Sequence, residues 1–295
     1  MVDYEDPVSL QHAVMGVDTV ISTVTGVAGM ELLKASIYQG VRRFAPAEFE
    51  GLTSRRPQED PLDPNNAKRN IRLWLDHYRS QNRIESTIFS CGVLYERFGP
   101  GGLRAHRLGL RSHADCEGDF IVNVRNMTAN APVYDANNQP NVTICLTAAE
   151  DVARFVVKAL DLSRWPEEMT MVGERMTVLD LLRCVERARG TYVSSLFVTE
   201  VAHRDMLGCP LTFHTYEYPA SLQSELALAQ ALGDVPRIQR AQQHIATALG
   251  RYSFNAPGTL NRARGRRITP IGFEQWLRRV WANVPAPMHN VYTTT

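Results

Sequence analysis

The sequence is poor in lysine, has no CxxC pair and contains no apolar run long enough to span a bilayer. Only three of its 32 lysines and arginines are lysine, so few of these basic side chains could release a proton near neutral pH. The five scattered cysteines indicate reduced thiols in a cytoplasmic protein rather than a disulfide framework or a zinc site. The formal net charge of +1 argues against nucleic-acid binding, and the missing apolar run argues against a membrane span.

The first hundred residues alternate between strand-like and helix-like patterns. Helices are predicted after the Asp6–Pro7 start signal, over residues 27–39 and over residues 67–81, with strands over residues 17–24, 41–45 and 85–92. Such alternation is typical of a parallel α/β sheet. The apolar stretch over residues 17–24 predicts a strand that is buried on both faces.

The pattern changes twice further along the chain. Residues 98–140 are rich in Gly, Asn and Pro and contain only short strand-like pieces, which predicts an irregular insertion. Regular elements then return, and Thr177 with Asp180 forms a capping box before a helix. The remainder is predicted to be mostly helical and to end in an amphipathic helix that starts at Pro270.

Three predicted strands end in small or turn-forming residues. These ends are Ile21–Gly26, Ala45–Glu50 and Phe89–Glu96. In an open parallel sheet, ligands bind outside the carboxyl ends of the strands, and small side chains let a flat ligand approach the backbone. Ordinary βα turns are also rich in Gly, Ser, Thr and Pro, so spacing alone leaves both interpretations open.

Five segments, taken in order, resemble the NmrA-like branch of the atypical short-chain dehydrogenase/reductases, which includes the isoflavone reductases. The segments are "GVDTVISTVTG", "GVRRFAPAEFEG", "NNAKRNIRLWL", "STIFSCGVLYE" and "TPIGFEQWL". The resemblance covers nearly the whole chain. It implies a Rossmann-like parallel sheet flanked by helices over residues 1–175, which binds NADP(H), and a smaller, mostly helical substrate domain over residues 176–295. We expect a monomer or a homodimer.

The resemblance also implies a cofactor site along the strand ends. Its residues would be Asp3, Ser22, Thr23, Val24, Pro46, Ala47, Glu48, Phe49, Cys91 and Gly92. Asp3, expected at the end of a strand, matches an acidic position near the adenine in this family. Ala47 stands where the family usually has a serine, which removes one hydroxyl contact to the cofactor.

Lys68 matches the lysine with which reducing members of the family handle a proton or polarise the substrate. Unlike arginine, lysine can serve as an acid or base in a suitable environment. The alternative is a surface lysine in the first turn of a helix. The other two lysines, Lys34 and Lys158, fall within predicted helices and are expected on solvated faces.

The substrate pocket is expected to include Leu94 and Tyr95, which follow the third strand end. From the residues alone, a half-buried aromatic residue of the core is the favoured interpretation of Tyr95. The Tyr-x-x-x-Lys pair of ordinary short-chain dehydrogenases is missing, because Asn82 lies four residues after Tyr78. This departure fits the atypical branch.

The family begins with a strand, a Gly-rich turn and a helix that cradle the pyrophosphate. Relative to it, roughly 45 residues are expected to be absent here, since a βαβ unit needs ~30 or more. A start codon assigned downstream of the true one, a truncated product and a chain without redox activity all remain open. If this chain is the real product, weak or no NADP(H) binding is expected.

The resemblance implies an NAD(P)H-dependent oxidoreductase acting on a small aromatic or conjugated secondary metabolite. Two alternatives remain open. One is an NADP-sensing regulator that performs no turnover, and the other is a non-redox biosynthetic enzyme that uses the same crevice for acid–base chemistry. The sequence does not identify the substrate, the direction of the reaction or the preference between NAD and NADP.

Overall fold

The computed structural model describes residues 2–109, 115–135, 137–189, 212–215, 220–265 and 267–285. In chain order its elements are α1 (Pro7–Val14), β1 (Thr19–Ile21), α2 (Gly26–Tyr38), β2 (Arg43–Ala45), α3 (Ala67–Ser80), β3 (Glu85–Ser86), β4 (Ile88–Ser90), β5 (Val93–Leu94), α4 (Gly102–Ala105), β6 (Val122–Asn123), β7 (Thr128–Ala131), β8 (Thr143–Thr147), α5 (Ala149–Leu160), β9 (Glu168–Thr170), β10 (Glu174–Thr177), α6 (Val178–Arg189), β11 (Thr212–Thr215), α7 (Ala220–Leu232), α8 (Val235–Ala248), α9 (Thr259–Arg262) and α10 (Phe273–Val280). Short 3-10 turns occupy Thr53–Arg55 and Tyr95–Phe98.

The chain divides into two compact units. The first unit comprises Met1–Cys91, Ala153–Met171 and Pro257–Ile268, and the second comprises Gly92–Val152, Val172–Ala256 and Thr269–Thr295. Each unit is therefore built from segments that are distant in sequence. The sequence predicted a boundary near residue 175 between a cofactor-binding domain and a substrate domain. The fold does not test these binding roles, so this division stays a prediction.

The first unit contains parallel strands flanked by helices. β1, β2 and β3 pair in that order, all parallel, and β4 pairs with β9, also parallel. A parallel bridge between Glu50 and Ser90 joins the two sets. Buried apolar side chains of α2, α3 and β2, among them Leu33, Ile71 and Phe44, form the core between sheet and helices. This arrangement confirms the predicted parallel α/β sheet.

Local signals set the ends of α1 and α2. The Asp6 carboxylate accepts a hydrogen bond from the backbone N–H of Val8, and Pro7 occupies the first turn of α1. Gly16 and Gly40, just beyond the two helices, have φ of 73° and 71°, a region that glycine enters without a Cβ penalty. These boundaries confirm the sequence prediction.

The second unit combines short strands with the C-terminal helices. β8 lies between β5, which is parallel to it, and β10, which is antiparallel. A second sheet has the order β11-β7-β6. The core is rich in aromatic residues: Tyr95 packs against Phe273 with ring centroids 5.0 Å apart, and both are fully buried. The capping box is also present, since Thr177 Oγ1 accepts from the Asp180 N–H at 3.0 Å.

Four sequence predictions are corrected. The strand over residues 17–24 contracts to β1, whose residues are only half-buried, because β1 pairs only with β2 among the described residues. Asp3 lies outside any strand, and its N–H donates to Ser9 Oγ rather than to a neighbouring strand. The last helix begins at Phe273, whose N–H donates to the Glu174 carboxylate, rather than at Pro270. Lys158 is buried rather than solvated, with 5% of its surface exposed.

Among the described helices, none combines the length and the apolar character needed to cross a membrane.

Candidate functional site

The carboxyl ends of β1, β2 and β4 lie side by side at one edge of the parallel sheet. Ile21 pairs with Ala45, and the Ser22 N–H donates to the Ala45 carbonyl at 2.8 Å. On the other side of β2, the Cys91 N–H donates to the Glu50 carbonyl at 3.0 Å. The three strand ends singled out from the sequence are therefore neighbours in space.

The segment after β1 presents one buried hydroxyl and two more accessible side chains. Ser22 is buried, and its hydroxyl donates to the Val24 carbonyl at 3.1 Å. Thr23 is exposed and Val24 is half-buried. The serine side chain thus shapes this turn, while Thr23 and Val24 remain able to contact a ligand.

The segment after β2 turns at Pro46, which is buried, and leaves Ala47 and Phe49 half-buried. Phe49 stacks on Phe89 of β4 with ring centroids 5.8 Å apart and planes 7° apart. This stacking ties the second strand end to the third. The exposed part of Phe49 provides an apolar surface at the rim.

Glu48 is the centre of a buried charge cluster. Its Oε2 accepts from Arg56 and, at 2.5 Å, from Arg72. The side chains of Glu48 and Arg56 are each only 2% exposed. Arg56 also lies 3.3 Å from Glu50 Oε1 and donates to the Gly51 carbonyl. Glu48 therefore fastens the loop after β2 to α3.

Lys68 belongs to the same cluster. Its Nζ donates to Glu50 Oε1 at 3.1 Å, and about a quarter of its side chain is exposed. The Asp63 carboxylate accepts from the backbone N–H groups of Lys68 and Arg69, both at 3.1 Å. Asp63 thus satisfies backbone N–H groups at the start of α3. Lys68 lies in the first turn of α3, as the sequence predicted.

The charges of this cluster are closely paired. Three cations (Arg56, Arg72 and Lys68) contact two carboxylates (Glu48 and Glu50), and a third carboxylate, Asp63, accepts from the backbone at the start of α3. The second Glu48 oxygen, Oε1, is buried and has no hydrogen-bond partner among the described residues. Because an unsatisfied buried acceptor is costly, a hydrogen-bond donor reaching this atom would be stabilised.

The remaining predicted cofactor residues occupy varied positions. Asp3 is exposed ahead of α1, and its carboxylate accepts from the Glu5 N–H at 2.9 Å. Cys91 is buried directly after β4. Gly92, in the second unit, has φ of 74°, and a Cβ there would collide with the Cys145 carbonyl oxygen. A close approach between backbones therefore explains this glycine.

The two predicted substrate-pocket residues lie in the second unit. Leu94 is half-buried in β5 and pairs with Thr147. Tyr95 is fully buried, and its hydroxyl donates to the Ile271 carbonyl at 3.1 Å. Burial raises the pKa of the Tyr95 hydroxyl well above its ordinary value. Tyr95 is thus a residue of the core, and its role toward a substrate stays a prediction.

Sequence reasoning missed three members of the cluster: Glu50, Arg56 and Asp63. All three lie in the long polar loop between β2 and α3, where no periodicity marks individual positions. The only available signal was the run of three carboxylates, Asp60, Asp63 and Glu59, shortly before Lys68, which indicates a capped helix start.

Comparison with known proteins gives the fold. No family model matches the sequence, and no curated protein matches it significantly. Among solved structures, the chain is similar to the leucoanthocyanidin reductase–NADPH complex from Vitis vinifera (TM-score 0.60, 18% identity, 94% of this chain and 82% of that one). It is also similar to the triphenylmethane reductase of Citrobacter sp. complexed with NADP(H) (TM-score 0.57, 14% identity, 94% and 82%).

A third similar structure is a nucleoside-diphosphate-sugar epimerase from Staphylococcus aureus (TM-score 0.58, 15% identity, 94% of this chain and 82% of that one). At such identities the likeness concerns the fold. The fold class that the family resemblance implied is thereby confirmed. Because structures with this fold carry out both reduction and epimerisation, the function must be argued from the site itself.

Proposed function

We propose that the chain is an NADP(H)-dependent oxidoreductase of the isoflavone reductase type, acting on a small aromatic or conjugated secondary metabolite. The observation that carries the proposal is the meeting of three strand ends at one sheet edge, with Lys68 held beside them by Glu50. Similar structures solved with NADPH or NADP(H) support the choice of cofactor. A cytoplasmic location and a monomeric or homodimeric state belong to the same proposal.

The residues at this edge suit a dinucleotide. The first turn of α2 follows β1 directly, and its N-cap residue Thr25 makes no side-chain cap within the described part of the chain. Backbone N–H groups of such a turn can bind phosphate oxygens. Glu48 Oε1 would accept from a hydroxyl or amide donor. Thr23, Val24, Ala47 and Phe49 leave accessible surface for a flat ring.

Lys68 would act on the substrate oxygen. Bound NADPH would supply a hydride to the electrophilic carbon of the substrate. As negative charge develops on the conjugated oxygen, the Lys68 ammonium would donate a hydrogen bond to it and then a proton. One of the three ammonium donors is engaged by Glu50. Glu50 thus orients Nζ of Lys68 and leaves two of the three ammonium donors for a substrate.

The test combines cofactor binding with turnover. NADPH and NADP+ are titrated onto the purified chain by nicotinamide fluorescence, and NADPH oxidation is followed with a panel of conjugated ketones and quinones. Although the resemblance alone implied weak or no NADP(H) binding, the strand-end residues lead us to expect saturable NADPH binding together with oxidation that depends on an added substrate. Lys68→Met should lower kcat by about 10² to 10⁴, the usual contribution of acid–base catalysis, and leave the NADPH Kd unchanged.

Lys34→Met is the matched control. Lys34 is an exposed lysine that pairs with Glu31 on α2, so its loss should change neither binding nor rate. Absence of NADPH and NADP+ binding by the folded chain would refute the oxidoreductase proposal. Binding without turnover on any substrate of the panel would instead favour the NADP-sensing regulator.

A further inference from the structure

Lys158 is a buried cation in the C-terminal half of α5. Only 5% of its surface is exposed, although lysine is almost never buried without a partner. Its Nζ donates to the Leu260 carbonyl, at the start of α9, at 3.0 Å. This contact is to a neutral oxygen, and an ammonium carries two further donors.

Among the described residues, no carboxylate lies within ion-pair distance of Lys158. Burying a charge without a counter-charge is strongly unfavourable. An anion bound beside Lys158 would relieve this cost, which makes the site favourable for a negatively charged ligand.

A cavity of about 290 Å³ adjoins this lysine. Its lining consists of Ala153, Arg154, Val157, Lys158, Asp161 and Ile268. Arg154 and Lys158 are four residues apart on α5 and so lie on one side of the helix. The lining thus contains two cationic side chains and one carboxylate.

The rest of the lining is apolar. Val157 is 63% exposed on α5, and Ile268 is half-buried. A volume near 300 Å³ is at the small end for ligand pockets. The combination of small size, apolar walls and a buried ammonium favours a compact organic anion over a bare inorganic one.

We propose that this cavity is a second ligand site, which binds a small carboxylate with an apolar body. The carboxylate would lie against Lys158 and Arg154, and the body against Val157 and Ile268. None of these residues belongs to the strand-end site, so the proposal goes beyond the oxidoreductase activity and stands independently of it.

The test uses the full chain and benzoate as the probe. Benzyl alcohol, of nearly the same shape but neutral, and inorganic phosphate, charged but without an apolar body, serve as comparison ligands. Binding is measured by isothermal titration calorimetry. We expect saturable benzoate binding at least about 10-fold tighter than that of either comparison ligand, because a charged hydrogen bond contributes a factor of this size. Equal binding of benzyl alcohol or phosphate, or no benzoate binding, would overturn the proposal.

Lys158→Met is the diagnostic variant. Methionine keeps most of the apolar stem and removes the charge of Lys158, together with its hydrogen bond to the Leu260 carbonyl. Benzoate affinity should fall at least about 10-fold, whereas the Lys34→Met control should bind as the parent does. Arg154→Gln, at an exposed position, should also lower the affinity for benzoate. This variant provides the test if Lys158→Met does not fold. Unchanged benzoate affinity in the folded variants would contradict the assignment.

Discussion

Nζ of Lys68 lies 3.1 Å from Oε1 of Glu50, a residue 18 positions earlier in the chain. Glu50 itself forms the bridge to Ser90 at the end of β4. The contact therefore couples the lysine in the first turn of α3 to the edge of the parallel sheet. It holds the proposed proton donor at a defined place while keeping it partly exposed.

The first prediction concerns this contact. Glu50→Gln keeps the shape and an acceptor oxygen but loses the charge that holds the ammonium. We expect kcat for NADPH-dependent reduction to fall by about 10-fold. This fall is smaller than that expected for Lys68→Met, because the ammonium is only less well positioned and is not removed. The NADPH Kd should stay the same, because Glu50 acts through Lys68. Steady-state kinetics combined with the fluorescence titration separates the two effects.

Adding Lys68→Met to Glu50→Gln supplies the control. If Glu50 acts through Lys68, the double variant should be no slower than Lys68→Met alone, because residues that work as a unit are not additive. A further drop of similar size in the double variant would show that Glu50 acts on its own.

The second prediction concerns the stability of the loop. Glu48→Gln leaves Arg56, whose side chain is 2% exposed, without its main counter-charge. Breaking a buried ion pair on one side typically costs about 3–5 kcal/mol. We expect a loss of this size in the free energy of unfolding, measured by urea denaturation followed by circular dichroism.

An exposed pair is the matched comparison. Asp18→Asn breaks the contact with Arg42, in which the Asp18 and Arg42 side chains are 60% and 52% exposed, and should cost much less, because water screens an exposed pair. If Glu48→Gln costs as little as Asp18→Asn, Glu48 does not hold the loop in the way described.

Features set by neighbouring residues could be predicted from the sequence. Asp6 with Pro7 begins α1, and Thr177 with Asp180 begins α6, because caps depend on residues within one turn. The alternation of strand-like and helix-like segments can also be seen along the sequence, and it predicted the parallel sheet. Lys68 was found through its place in a family motif, since nothing in its own surroundings distinguishes a lysine at a helix start.

Features set by distant residues could not be predicted. Lys158 follows the helical pattern of a solvated position, yet the Leu260 carbonyl, 102 residues away, receives its ammonium. The pairing of Glu50 with Lys68 likewise depends on how the loop after β2 folds back. The partial burial of β1 depends on which strands flank it, and its own residues do not encode this.

The third prediction concerns Gly92. Its φ of 74° is strained for other residues, and a Cβ would collide with the Cys145 carbonyl oxygen. Gly92→Ala should therefore cost more than the about 1–2 kcal/mol of the left-handed conformation alone. Gly16→Ala is a close control, because Gly16 has φ of 73° and a Cβ added there would meet nothing within 4 Å. Equal losses for the two variants in urea denaturation would contradict the packing role of Gly92.

The fourth prediction concerns acid stability. Burial, with a smaller effect from Arg240, lowers the pKa of His244 in α8 from 6.5 to about 3, and the ring lies 6.2 Å from that of Phe120. The unfolded chain binds a proton on this histidine below pH 6.5, whereas the folded chain does so only near pH 3. Stability from the neutral ring is therefore present above pH 6.5 and is lost as the pH falls toward 3.

Urea denaturation at pH 7 and pH 5 measures this contribution. Between these values the single group should remove about 2 kcal/mol of stability, at about 1.36 kcal/mol per pH unit below 6.5. His244→Leu eliminates the titration, so its stability should fall less between pH 7 and pH 5 than that of the parent, whatever its absolute stability. His12→Gln, at an exposed position of α1, should lose as much stability between pH 7 and pH 5 as the parent does. The same loss of stability in His244→Leu as in the parent would mean that another group governs the acid sensitivity.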